Sequence, residues 1–300
     1  MIAYTSQYVD DNNKSYEVAD ADSKRKPYRN YISQTLDIMK PQKELMRIYP
    51  VFHFVPGDVT GAAEQRRDGF SHVLLTTPAN QKVHTMLDEA FAAEPARLLY
   101  RIGIATHAFV DTWAHQNFAG WTNELNNIPL MPAPNVGHAD AGYQPDRVGG
   151  VWTDPRLRES RVDNNARFLA AAESLLAKYR DYHVRKGTYD GRTPPAWKGL
   201  GGKLKESMGL PGGKHRRIEA YRAYAKWLPA YDRGRWRKAA TRPRAQLLSE
   251  TFGLLEWKPG VARHGTHWFQ FQQAVKDHER FSLGLLQPIY RRLGLDIRVA

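Results

Sequence analysis

The segment Gly103-Ile104-Ala105-Thr106-His107-Ala108-Phe109-Val110-Asp111-Thr112-Trp113-Ala114-His115-Gln116-Asn117-Phe118 constrains this chain more than any other. No Lys, Arg or Glu occurs between Ile102 and Phe118. A helix that is apolar nearly all round is a buried helix. His107, Asp111 and His115 stand at i, i+4 and i+8. At about 100° per residue each step drifts by only about 40°, so all three project from one face. Leu98, Ile102, Ala105, Phe109 and Trp113 occupy the opposite face. Burying unpaired imidazoles and a carboxylate costs on the order of several kcal/mol. A divalent metal offsets that cost, because neutral imidazole and carboxylate are ordinary zinc ligands. The plainer alternative is a hydrogen-bonded His–Asp–His ladder in the core.

The rest of the chain also reads as mostly helical. Helices are predicted over 79–93 and from Pro95 to about Phe118. A long one is predicted over 154–186, with Asp154 as N-cap, Pro155 in the first turn and Gly187 after the end. Two more are predicted over 241–256 and 266–293. The stretches 10–30, 119–150 and 187–214 are rich in Pro, Gly, Asn and Asp and read as loops. No alternating series of strands stands out, so the pattern predicts an all-α chain with long loops. The loop 187–214 is the candidate boundary between a metal-site domain over 1–186 and a basic region over 187–300, the two packing as one body.

Charge divides along the same direction. The net charge is +13, yet the first 150 residues hold 14 Lys and Arg against 17 Asp and Glu, and the last 150 hold 30 against 14. Lys214-His215-Arg216-Arg217 and Arg233-Gly234-Arg235-Trp236-Arg237-Lys238 are the densest basic clusters, with Tyr221, Tyr224 and Trp227 as aromatic neighbours. Solvated helix faces and a phosphate-tracking surface with stacking aromatics both fit them. The absence of cysteine excludes disulfides and thiolate metal sites. No uncharged apolar run reaches the roughly 18–20 residues of a membrane span. Met1-Ile2-Ala3-Tyr4-Thr5-Ser6 lacks both the basic and the apolar region of a signal peptide, which predicts a cytoplasmic location. Those first residues also resemble the middle of a domain, as if a first helix preceded them.

Other ligand-type residues lie in the acidic half. They are Asp10 and Asp11 in Ser6-Gln7-Tyr8-Val9-Asp10-Asp11, His53 in Val51-Phe52-His53-Phe54, and His138 and Asp140 in Gly137-His138-Ala139-Asp140. His72 is a fainter candidate. His264 and His267, beside Trp268 in the basic half, read as surface or packing residues.

The order Asp10, His53, His107-x3-Asp111, His115, His138 resembles the ligand order of zinc-dependent phospholipase C and its single-strand nuclease relatives. The wording of these segments is more similar still to a bacterial family of unknown function, expected to be a remote branch of the same superfamily. The resemblance covers roughly residues 1–170. It implies an all-α bundle with two or three zinc ions that cleaves phosphate esters, of lipid or of nucleic acid. Asp10, His53, His107 and Asp111 would hold one zinc, and Asp111 would bridge towards a third. His115 and His138 would hold a second with a nearby carboxylate, Asp140 or alternatively Asp146. Asp10 or Asp11 would orient or deprotonate the attacking water, Arg66, Arg67 or the basic half would contact substrate phosphate, and Gln116 and Asn117 would be considered for fixing the imidazole tautomers. Three departures stand out: the step from Asp111 to His115 is short, the carboxylate after His138 comes early, and no His precedes Asp10. The competing expectation is a non-catalytic, metal-stabilised helical protein whose basic C-terminal half binds an anionic partner.

Overall fold

The computed structural model describes residues 1–20, 26–35, 42–129, 135–187, 196–210, 213–226, 230–244 and 254–295. In chain order the elements are α1 (Ile2–Asp11), β1 (Glu17–Ala19), β2 (Tyr28–Arg29), α2 (Gln42–Phe52), α3 (Val59–Gln65), α4 (Gln81–Phe91) and α5 (Leu98–Ala114). They continue with β3 (Val151–Thr153), β4 (Arg161–Asp163), α6 (Asn164–Arg185), α7 (Trp197–Gly209), α8 (Gly213–Tyr224), α9 (Arg235–Ala240), β5 (Thr241–Pro243), β6 (Leu254–Trp257) and α10 (His267–Arg292). Among the described residues, no helix is long and apolar enough to cross a membrane.

The all-α expectation is overturned. A four-stranded sheet runs in the order β2-β1-β6-β5, and β3 pairs with β4 in a second, two-stranded sheet. The fold class is mixed α/β. The centre of the larger sheet is the parallel pair β1–β6, with Glu17 opposite Leu254 and Val18 opposite Leu255. The helix expected over 241–256 is therefore two short strands, β5 and β6, in its described parts; residues 245–253 lie outside the described residues.

The helix expected from residue 154 begins ten residues later. Asp163, not Asp154, is its N-cap, and its carboxylate accepts from the Asn165 and Ala166 amides. Asp154 instead holds Arg156 through two hydrogen bonds, at 2.9 and 2.8 Å, and Arg156 lies over the Phe118 ring at 4.3 Å. Both ends of this buried pair are satisfied, which is what lets charges sit inside. Gly187 does follow the helix end, at φ +61°. Within the expected loop 187–214 lies α7.

The chain folds as two compact units, neither continuous in sequence. One comprises residues 1–52, 86–107 and 231–300; the other comprises 53–85 and 108–230. The expected boundary at residue 187 falls inside the second unit.

In the first unit, α10 supplies the core face with Trp268, Phe271, Ala274, Val275, Leu283 and Leu286. It packs on α2, where Arg47 pairs with Glu279 at 2.7 Å and the His278 Nε2–H donates to the Val51 carbonyl at 3.2 Å. Tyr8 of α1 meets Phe271 edge-on at 4.8 Å, and Trp236 of α9 packs 4.2 Å from Tyr4. Trp236 is thus core, not a stacking platform; Trp227 lies outside the described residues. Gly103 lets α5 approach α1: a Cβ there would stand 2.5 Å from the Thr5 Cβ, well inside contact distance.

The core of the second unit includes the buried residues Leu75, Phe118, Val136, Leu157 and Val162. Here the loop carrying His138 closes down on Phe54. Gly137 has φ +53°, and a Cβ on it would come within 2.7 Å of the Phe54 ring. Only glycine meets both demands without strain.

Candidate metal centre

His115, the residue after α5, is held by a hydrogen bond from its own amide back to the Asp111 carbonyl at 2.9 Å. Its imidazole stacks on Phe54, with centroids 4.2 Å apart and planes 16° from parallel. Phe54 also lies 5.7 Å from the His138 ring, so one aromatic side chain orients two imidazoles. The two imidazole centroids are 4.9 Å apart.

Each ring uses Nδ1 on a backbone carbonyl. His115 Nδ1 is 2.8 Å from the His53 carbonyl oxygen, and His138 Nδ1 is 2.9 Å from that of Gly142. A carbonyl only accepts, so both Nδ1 atoms carry the proton and donate. In the neutral ring that leaves Nε2 as a bare lone pair. Both Nε2 atoms then face the same carboxylate: His115 is 3.1 Å from Asp146 Oδ1 and His138 is 3.1 Å from Asp146 Oδ2. Two lone pairs against a carboxylate repel unless a cation sits among them, either protons on Nε2 or a metal ion.

The charges around these residues are strongly coupled. Burial opposes a charge on His115, but Asp111 and Asp146 outweigh it and lift its pKa to about 9. Burial pushes the Asp146 carboxyl up, while hydrogen bonds from His115 and His138 outweigh that and hold it well below the usual carboxylate range. The donor atoms of His115, His138 and Asp146 all lie within 4.8 Å of one another. Tetrahedral ligands on bonds of about 2.0–2.2 Å stand roughly 3.3–3.6 Å apart, so 3.1 Å contacts open to a metal with shifts of a few tenths of an ångström. His115 is buried, His138 is 19% exposed and the Asp146 side chain is 47% exposed, so the centre is reached from solvent on the Asp146 side.

Asp111 extends this centre inward. Its Oδ2 lies 3.2 Å from His53 Nδ1 and 3.7 Å from His115 Nδ1. His53, at 2% exposure, thus contributes both its backbone carbonyl and its ring.

Of the other expected ligands, Asp10 and His107 lie in the first unit, where Asp10 Oδ1 is 3.5 Å from His107 Nε2 and accepts from Gln34 Nε2 at 3.4 Å. The ligand set Asp10, His53, His107 and Asp111 therefore divides, two residues to each unit. Asp140 is a correction. Its carboxylate is buried at 1% exposure and its Oδ2 accepts from the Ile128 amide at 3.0 Å, so it closes the loop. Asp146, the alternative carboxylate, is the one that lies against both imidazoles.

Asp11 is a second correction. Its Oδ2 accepts from the Tyr231 hydroxyl at 2.6 Å and its Oδ1 lies 3.9 Å from Arg233, so it is a packing carboxylate of the first unit. Arg66 is buried and paired with Asp68 at 3.2 Å, which removes it from substrate contact. Gln116 donates to the Trp113 carbonyl and Asn117 to Gln65; backbone carbonyls, not these amides, fix the tautomers. His72 accepts from the Leu74 amide in a turn, His264 packs on Phe269, and His267 pairs with the Tyr100 hydroxyl at 2.6 Å.

Residues 1–286 match a family of unknown function (DUF6765), and the chain belongs to that family. No curated protein and no solved structure matches it.

Proposed function

We propose that this member of the family is a divalent-metal-dependent phosphoester hydrolase, with His115, His138 and Asp146 as the protein ligands of the metal. One observation carries the reading: two imidazoles, each with Nδ1–H spent on a carbonyl, turn their Nε2 atoms to opposite oxygens of one half-exposed carboxylate, where a metal ion could replace the Nε2 protons. Three protein ligands and a solvent-facing side are the pattern of catalytic zinc sites, whereas structural sites close with a fourth protein ligand. Nitrogen and oxygen donors without sulfur favour zinc, with manganese or cobalt as substitutes.

The bound ion would supply Lewis acidity and an activated water. The chain supplies the rest. The His53 and Gly142 carbonyls lock the tautomers, and Phe54 fixes the ring planes. Asp111, behind His115, balances the charge of a cation and keeps His115 in place. The substrate class rests on the resemblance of the ligand order, over roughly residues 1–170, to that of zinc-dependent phospholipase C and the single-strand nucleases.

The test is metal content and turnover together. After incubation with zinc and desalting, the protein should retain zinc and hydrolyse bis(p-nitrophenyl) phosphate, and His138→Ala should lose both. Zinc retention without hydrolysis in the wild type would reduce the centre to a structural metal site. Absence of bound zinc would sink the reading outright.

A further inference from the structure

The second unit holds a cavity of about 360 Å³ whose lining includes Arg147, Gly149, Met208, Gly213 and Arg217. That volume is at the lower end of small-ligand sites. Its walls are built firmly. The Arg147 carbonyl accepts from Asn164 Nδ2 and from the Gly150 amide, both at 2.9 Å, and the Gly149 amide donates to Asn165 Oδ1 at 2.9 Å. These bonds pin the turn 147–150 to the start of α6. Gly149, at φ +77°, lets that turn lie against the end of α7, where a Cβ would meet the Met208 carbonyl at 3.6 Å.

Two arginines, Arg147 exposed and Arg217 partly exposed, thus contribute to the lining of one small cavity, and neither forms an ion pair among the described residues. Other arginines of the chain are ion-paired, as in Arg156–Asp154 and Arg47–Glu279. Arginine does not shed its proton, so both carry fixed positive charge beside this cavity. The planar fork of each matches phosphate oxygens. The neighbouring charge has the same sign: α8 carries Lys214, Arg216, Arg217 and Arg222 against Glu219, and buries no residue. Arg147 also directly follows Asp146 in the chain.

We propose that this cavity is a phosphate-binding site, occupied by a phosphate group that is free or terminal on a nucleotide. The proposal does not depend on the metal reading, because the arginine charges are present whatever sits at His115.

Calorimetric titration of the full chain at low salt with inorganic phosphate, and separately with a nucleoside monophosphate, tests it. Saturable one-site binding is expected for at least one probe. Equal affinity for both points to free phosphate as the occupant, and preference for the nucleotide points to a nucleotide. Arg147→Gln and Arg217→Gln should each weaken binding about ten-fold or more, as loss of a charge-assisted hydrogen bond does. Arg222→Gln, exposed on the same helix, should bind as the wild type. Failure of both probes to bind the wild type overturns the proposal, and so does equal weakening by all three substitutions, which would mean a diffuse basic surface. Zinc retention measured on the same variants separates the two sites: the arginine variants should keep their zinc, and His138→Ala should keep its phosphate.

Discussion

At the scale of single residues, the candidate centre turns on which carboxylate meets His138. Asp140 is two residues away in sequence and Asp146 eight, yet Asp140 caps the Ile128 amide while Asp146 bridges two imidazoles. The two aspartates should therefore fail differently. Asp146→Asn should abolish zinc retention. Asp140→Ala should retain zinc but leave a buried amide unpaired, lowering stability by about 1–3 kcal/mol in denaturant unfolding. The reverse pattern would assign the ligand role to Asp140. Sequence spacing could not choose, because the 3₁₀ turn at Ala139–Ala141 and the positive φ of Gly142 re-aim the chain between them.

At the scale of elements, the long helices were legible and the short strands were not. The apolar period marks α10, and the missing charges mark α5. In contrast, β6 exists because Leu254–Glu256 pair with Glu17–Ala19 from the other end of the chain. A strand of four residues carries too little local period to announce such a partner. The packing of α10 on α2 has a pH signature. His278 is fully buried, its Nε2–H donates to Val51, and its Nδ1 has no hydrogen-bond partner among the described residues. Burial, with the Arg101 charge adding to it, lowers its pKa to about 3. In the unfolded chain it titrates near 6.5. Between these values the unfolded state binds the extra proton, so stability is full above about pH 6.5 and falls as the solution is acidified towards pH 3. His278→Gln should be less stable at pH 7 but lose less between pH 7 and pH 4 than the wild type. Parallel stability–pH curves for the two proteins would show that another group governs this window.

At the scale of the whole molecule, charge and architecture divide differently from the halves of the sequence. The basic C-terminal half is not one body: residues 151–230 belong to the unit that holds His115, His138 and Asp146, and 231–300 belong to the other. The basic helices α7 and α8 therefore share a unit with the candidate centre, while Arg233–Lys238 surround a core tryptophan elsewhere. Metal binding should register as global stability. Zinc at about 100 times its Kd should add about 2.7 kcal/mol by mass action, raising the melting temperature by several degrees over chelator-treated protein. Identical melting with zinc and with chelator would contradict a native metal centre.

By itself, the sequence determined that α5 is buried, that its histidines and aspartate need compensation, and that no cysteine chemistry is available. Those properties are local: composition, period and charge decide them within a few turns. Only the tertiary structure decided that β1 and β6 join the chain's ends in one sheet. It alone also decided that Phe54 orients two imidazoles and that Asp146 rather than Asp140 receives them. Each of these depends on contacts between residues far apart in the chain, and on backbone turns at Gly137 and Gly142 whose direction no periodicity encodes.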